Sequence, residues 1–466
     1  MTGLARDRLR VILMTSGFPT TDKPGNGIFN LRAAKALKNL VDLTVIHLRA
    51  WKPGRRRIEA TKLEGIPVYT VTAPQIPCYK WLNGPLYEYF GWSQVRSLFN
   101  DCDLIHSVGA DFAGVMASSW ARRVPVHHIT QVVGSDINSV IPRQRGSRAS
   151  KGWEEQLHGV ACNSRALAQA FVTLHPAVPN VKVIYRGVDL DRCRPTGPAI
   201  GPLVHRPPVR FLFLGGFPAY RDSPHRTNTK GGQTLLAAWR EAEEDLIASD
   251  ASLLIGGPDS NAKIVNGWRA ELVDPSRVHL AGHLHPDQIP PHIRSSDVVL
   301  IPSLAEGLPN VAVEAGACGR PVFGSNVGGI PEVIVDGETG LLLPAGEVKA
   351  WKNALIAYAR KSFELKAMGD RARCRMEALF DSRTYGEQMM NLYRVALREP
   401  LSGGDATHVW NTGLRRVERD RLSAVLKMNR HRGPDDWWMT FFGIHSRACH
   451  EAVHSSSRQT LPKSIG

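Results

Sequence analysis

The sequence predicts an α/β protein of two doubly wound halves that face a central cleft. Short apolar strands alternate with amphipathic helical stretches along most of the 466 residues, a pattern that builds a parallel sheet covered by helices on both faces. A segment at residues 194–208 (RPTGPAIGPLVHRPP), five of its residues proline, breaks the pattern once, and the alternation then restarts. The composition, 43% hydrophobic and 22% charged, is that of a chain with a large buried core. It excludes a disordered, collagen-like or disulfide-scaffold chain.

Taken in order, residues 10–14 (RVILM) form the first buried strand. They lead through a Gly/Pro-rich loop into a helix over about residues 29–40. In that helix Phe29, Ala33, Ala36, Leu37 and Leu40 recur at spacings of three and four, one apolar face. Strands follow at residues 43–48, 104–108, 126–133 and 181–185. After the break come strands at 209–214, 252–255, 278–281, 298–301 and 321–324, with helices such as 233–246 and 348–360. Two such halves bring strand C-termini and helix N-termini together in a cleft, the usual place for a ligand.

Charge and cysteine usage narrow the classes further. The chain carries 58 basic and 43 acidic residues, net +15, which favours polyanionic partners. The positive charge is dispersed and no nucleic-acid-binding motif accompanies it, so no nucleic-acid partner is expected. The seven cysteines (78, 102, 162, 193, 318, 374 and 449) show no CxxC or Cys/His spacing suited to zinc. They read as buried thiols of a cytoplasmic protein. No run of about 18 apolar residues suggests a spanning helix, and no secretory signal opens the chain. Residues 401–466 differ from the rest, with ten Lys/Arg against six Asp/Glu and an aromatic cluster, DDWWMTFFG. They form either an extension packed on the main body or a peripheral contact with an anionic membrane surface.

The informative stretch is residues 303–340, SLAEGLPNVAVEAGACGRPVFGSNVGGIPEVIVDGETG. A strand ends at 301–303 and runs into a loop bearing Glu306. Pro309 suits a first helical position, and Glu314 follows on the helix, eight residues after Glu306. Amide N–H groups around Asn310, Val311 and Ala312 would point out of the helix start, an anion site suited to a diphosphate.

This stretch resembles the E-x7-E signature of glycosyltransferase family 4, retaining nucleotide-sugar enzymes of GT-B fold with two Rossmann-like domains. The flanks match as well: Pro302-Ser303, Gly307, Gly319 with Pro321-Val322, Gly328-Gly329, Glu332-Val333 and Asp336-Gly337. The resemblance implies that Glu306 contacts the donor sugar and Glu314 the nucleotide ribose. Lys230-Gly231 resembles the family's phosphate-binding lysine, a cation for the leaving diphosphate, with Gly307, Leu308, Asn310 and Val311 as backbone donors. Gly25 and Gly27 resemble its glycine loop, Gly215 its first donor-domain loop, and Gly257-Pro258 the loop near base and ribose. Arg186-Gly187-Val188-Asp189 is similar to the segment before the linker, with Arg in place of Asn. Two departures stand out. Gly215-Gly216-Phe217 and a longer insert replace the usual Gly-Arg, so that either Arg221 or Arg226 would supply the second cation or Lys230 would act alone. Val133 replaces a histidine in VVGSD, leaving His128 and Asp136 as acceptor-side candidates, with a core histidine the competing account for His128.

The resemblance divides the chain into an acceptor-side domain (1–195), a linker (196–208), a donor-binding domain (209–380), a helix crossing back onto the first domain (381–400) and the extension (401–466). It implies a retaining transfer of a hexosyl group from a nucleotide-diphosphate sugar to a glycan or lipid-linked acceptor, of the kind used in bacterial envelope or exopolysaccharide synthesis. No metal and no other cofactor are expected. A nucleotide-sugar 2-epimerase of the same fold, or a catalytically silent binding scaffold, would share these motifs.

Overall fold

The computed structural model describes residues 8–23, 25–50, 58–73, 83–134, 136–137, 152–205, 209–217, 229–260, 263–360 and 362–401. Arg221, Arg226, Cys78, Cys449 and the extension from residue 402 lie outside them. Among the described residues no helix is long and apolar enough to cross a membrane.

The first half is built on eight strands: β1 (Arg10–Thr15), β2 (Asp42–Ala50), β3 (Ile58–Leu63), β4 (Ile66–Ala73), β5 (Leu104–Val108), β6 (His127–Val132), β7 (Gly159–Cys162) and β8 (Val181–Val183). They lie in the order β3-β4-β2-β1-β5-β6-β7-β8, and every pair is parallel except β3 with β4. The second half holds β9 (Arg210–Phe213), β10 (Ser252–Gly256), β11 (Val278–Gly282), β12 (Val298–Ile301), β13 (Val322–Ser325) and β14 (Gly340–Leu343). Its order is β11-β10-β9-β12-β13-β14, parallel throughout. In each sheet the strand order reverses beside the first strand, β1 or β9, which opens a crevice at the strand C-termini. The α/β class and the two doubly wound halves are therefore as the sequence predicts.

The central strands are apolar because both faces are covered. Val11, Ile12, Leu13 and Met14 of β1 are all buried, each side chain contributing about 1.5–3 kcal/mol relative to exposure. The helix Arg383–Ala396 places Tyr385, Met389, Leu392, Tyr393 and Ala396 in the core of the first half. The chain thus returns to its first sheet after completing the second.

Some elements depart from the sequence pattern. The β3–β4 hairpin turns through Glu64 (φ 52°) and Gly65 (φ 84°), a two-residue turn with both residues left-handed. Glutamate seldom adopts that conformation, so the turn carries no clear sequence signal. Strands β7 and β14 are not among those the sequence pattern predicts. The first helix is Ile28–Leu37 rather than 29–40, and Leu40 beyond it is 38% exposed. Of the cysteines, Cys162, Cys193 and Cys318 are buried as expected, whereas Cys374 is exposed.

Candidate active site

The site forms where the 302–309 loop leaves β12. Gly231 (φ 67°) places the turn before helix Gly232–Ala248 against this loop. A Cβ at Gly231 would lie 1.6 Å from the Pro302 carbonyl oxygen, so only glycine permits the approach. Leu304 N–H donates to the Thr229 carbonyl at 2.7 Å and fixes the register. Lys230 Nζ then donates to Glu306 Oε1 at 2.6 Å, and Ser303 Oγ donates to the same oxygen at 3.0 Å. The Glu306 side chain is 10% exposed and that of Lys230 44%, so the lysine covers the carboxylate and keeps a wet face. A cavity of about 190 Å³ opens here, lined by Lys230, Glu306, Gly215, Asn310, Val311 and Phe29 among others.

The helix beneath is Asn310–Ala317, with Pro309 as N-cap rather than first helical residue. Ala312 N–H is taken by the Pro309 carbonyl at 3.1 Å. The helix-start donors facing the cavity are therefore Asn310 and Val311, and Ala312 is not one of them. Glu314, one turn inside, is buried, and its Oε1 accepts from Arg32 Nη1 at 3.0 Å with Arg192 Nη1 at 3.5 Å. Neither arginine is singled out by sequence reasoning, whereas Ser303 stands there only as a matching flank, with no role given to it. The Phe29/Arg32 spacing on the first helix was the available signal.

Other expected residues fall around this centre. Gly27 is the left-handed N-cap of helix Ile28–Leu37, while nothing would obstruct a Cβ at Gly25. Gly257 packs against Gly216, and the Pro258 carbonyl accepts from Phe217 N–H at 2.8 Å, away from the cavity lining. The Leu308 side chain belongs to the core of the second half. Gly307 meets the first half: a Cβ on it would lie 2.5 Å from the Val133 carbonyl and 2.9 Å from Gly134 Cα. The halves also join where Glu332 of the second half caps helix Arg165–Leu174 of the first. Its carboxylate accepts from Arg165 N–H at 2.9 Å and Ala166 N–H at 3.0 Å, while Ser164 takes Leu167 N–H.

His128 and Asp136 do not face the cleft as acceptor ligands. His128 is fully buried, its Nε2 bonded to Ser107 Oγ at 2.9 Å and its Nδ1 to Ser118 Oγ at 3.1 Å. Asp136, also fully buried, accepts from the amides of Ala110, Val133, Gly134 and Ile137 at 2.7–3.3 Å. Both hold the first half together.

Burial holds the His128 imidazole down to about 3, helped by His158. It holds His106, bonded to Tyr393 Oη at 2.8 Å, to about 3, and His47, beside Arg49, to about 4. Unfolded, these rings protonate near 6.5, so below that pH the unfolded chain binds more protons and stability falls. The loss reaches up to about 1.4 kcal/mol per pH unit for each ring between about pH 6.5 and 4. Urea midpoints are expected to drop clearly from pH 7 to pH 5, and an unchanged midpoint would contradict this account.

Two family descriptions match the chain: Glycosyltransferase Family 4 over residues 24–192 and Glycosyl transferases group 1 over residues 206–361. Among curated relatives, the D-inositol 3-phosphate glycosyltransferase of Saccharomonospora viridis is 30% identical over 326 residues, 63% of this chain and 70% of that protein. The protein of the same name from Rhodococcus opacus is 32% identical over 227 residues, 46% of this chain and 48% of its own length. The chain thus spans between about half and seven-tenths of these two relatives. Among solved structures, sucrose-phosphate synthase from Thermosynechococcus elongatus matches with a TM-score of 0.66 at 20% identity, over 83% of this chain and 98% of that one. HepE of Anabaena in complex with UDP-glucose matches with a TM-score of 0.61 at 19% identity, over 82% and 98%.

Proposed function

Because this chain belongs to glycosyltransferase family 4 and has the GT-B fold, we propose that it moves a hexosyl group from a nucleotide-diphosphate sugar to an acceptor hydroxyl with retention at the anomeric carbon. The observation that carries this reading is the Lys230–Glu306 pair at the mouth of the cavity, beside the start of the Glu314 helix. A departing diphosphate gains negative charge as the glycosidic bond breaks. Fixed positive groups therefore lower the barrier more than a strong base would.

In this reading Lys230 and the Asn310 and Val311 amides receive the diphosphate, Glu306 orients the sugar and Glu314 takes the ribose. The acceptor hydroxyl approaches on the face the diphosphate leaves, and its proton passes to the leaving phosphate oxygen. The chemistry invokes no metal or other cofactor. The acceptor is a glycan or lipid-linked sugar of envelope or exopolysaccharide synthesis. The names of the relatives, which specify D-inositol 3-phosphate, add phosphorylated polyols to the panel to be tried. A cytoplasmic protein, peripheral on the inner face of the membrane, fits a lipid-linked acceptor.

Incubation of the full chain with nucleotide hexoses and such an acceptor panel tests the proposal, with products resolved by anomeric NMR. Acceptor-dependent release of nucleoside diphosphate, with the donor's anomeric configuration kept in the product, is expected. Epimerised donor without acceptor, or an inverted linkage, would overturn it.

A further inference from the structure

Glu314 is held from outside its own domain. Arg32 lies on the first helix of the first half, and Arg192 on the segment leading out of that half. Both address the same oxygen, Oε1, at 3.0 and 3.5 Å. The carboxylate is 6% exposed, and the two arginine side chains are 31% and 23% exposed. Arg192 is shared with Asp287 Oδ1 at 3.7 Å, so Arg32 is the cation that Glu314 has at the shorter distance, in a poorly screened place. Arg192 also donates to the Pro286 carbonyl. The Arg32 guanidinium lies 5.1 Å from the centre of the Phe29 ring, and Phe29 lines the cavity beside Lys230 and Glu306.

Two arginines on one oxygen of a nearly buried carboxylate restrict its rotation and so limit the directions its second oxygen takes. Such an oxygen accepts strongly from a pair of adjacent hydroxyls, because the bonds are charge-assisted and the ordering cost has already been met within the protein. We propose that Arg32 is a positioning residue for the donor nucleotide: reaching from the first half, it pins Glu314 Oε1 so that Oε2 receives the ribose diol. This rests on the reading of Glu314 as the ribose ligand. It adds that ribose recognition is completed by a residue of the opposite half of the molecule.

The test is an equilibrium titration of the full chain. The probes are the tightest binder among UDP, GDP and ADP, and its 2′,3′-dideoxy analogue, which lacks the diol. Wild type is expected to prefer the ribonucleotide by at least about tenfold, the scale of charge-assisted bonds to one carboxylate. Arg32→Met should shrink that preference to about twofold by weakening the ribonucleotide alone, and Arg32→Lys should keep most of it. Because the Arg32 side chain is partly exposed, both variants should unfold at the wild-type temperature. An Arg32→Met variant that keeps the full preference, or that weakens both probes equally, overturns the inference while leaving the role of Glu314 intact. A wild type with no preference overturns the ribose reading of Glu314 and the inference with it. Failure of wild type to bind any of the three diphosphates overturns the donor reading itself.

Discussion

Replacing Lys230 with alanine is expected to lower turnover at least about a hundredfold, the scale of removing one preorganised electrostatic stabiliser. The variant removes the cation 2.6 Å from Glu306 Oε1 and leaves that carboxylate, 10% exposed, with Ser303 as its remaining donor in this pair of contacts. Two effects add in the proposed reading: the leaving diphosphate loses its cation, and the Glu306 carboxylate that faces it loses its ion pair with Lys230. Glu306→Ala should fall as far, because in the proposed reading the sugar loses its orienting group and Lys230 loses its ion pair with Glu306. The double variant should lie well above the product of the two single losses, since the groups act as one unit. Near-normal turnover in either single variant would contradict the site assignment.

Asp136→Ala is expected to cost about 3–4 kcal/mol of stability. The carboxylate is fully buried and accepts four backbone N–H groups, from Ala110, Val133, Gly134 and Ile137. Removing it strands three buried donors and the half-buried Val133 N–H, at about 1–3 kcal/mol for each buried one before relaxation. The loop it shapes includes Gly134, which packs on Gly307 of the other half, so donor affinity should weaken along with stability. Urea unfolding measures the first effect. A loss below about 0.5 kcal/mol, the range of ordinary surface changes, would show that the loop holds without its carboxylate.

Much of this molecule is legible in its sequence, for physical reasons that also mark where legibility ends. The central strands β1, β9 and β12 stand out because burial on both faces leaves continuous apolar runs. The 303–340 stretch stands out because close backbone approaches demand glycine at fixed places, as at Gly307 and Gly328. The pairing of Lys230 with Glu306 joins residues 76 positions apart and depends on how a turn docks on a loop, which no local pattern encodes. The same holds for Arg32 and Glu314, 282 positions apart. His128 and Asp136 look like site residues because polar side chains beside a cleft strand suggest function. Their environments, two serine hydroxyls for one and four amides for the other, exist only in the folded chain.

The most direct test of the account is a thermal-shift panel of the full chain with UDP, GDP, ADP, CMP and their common sugar conjugates, repeated on Glu314→Ala. A diphosphate at a hundred times its dissociation constant adds about 2.7 kcal/mol of stability. The account predicts such a rise with one base and its loss in Glu314→Ala. Absence of any shift in the wild type, or a rise that survives in the variant, would contradict it.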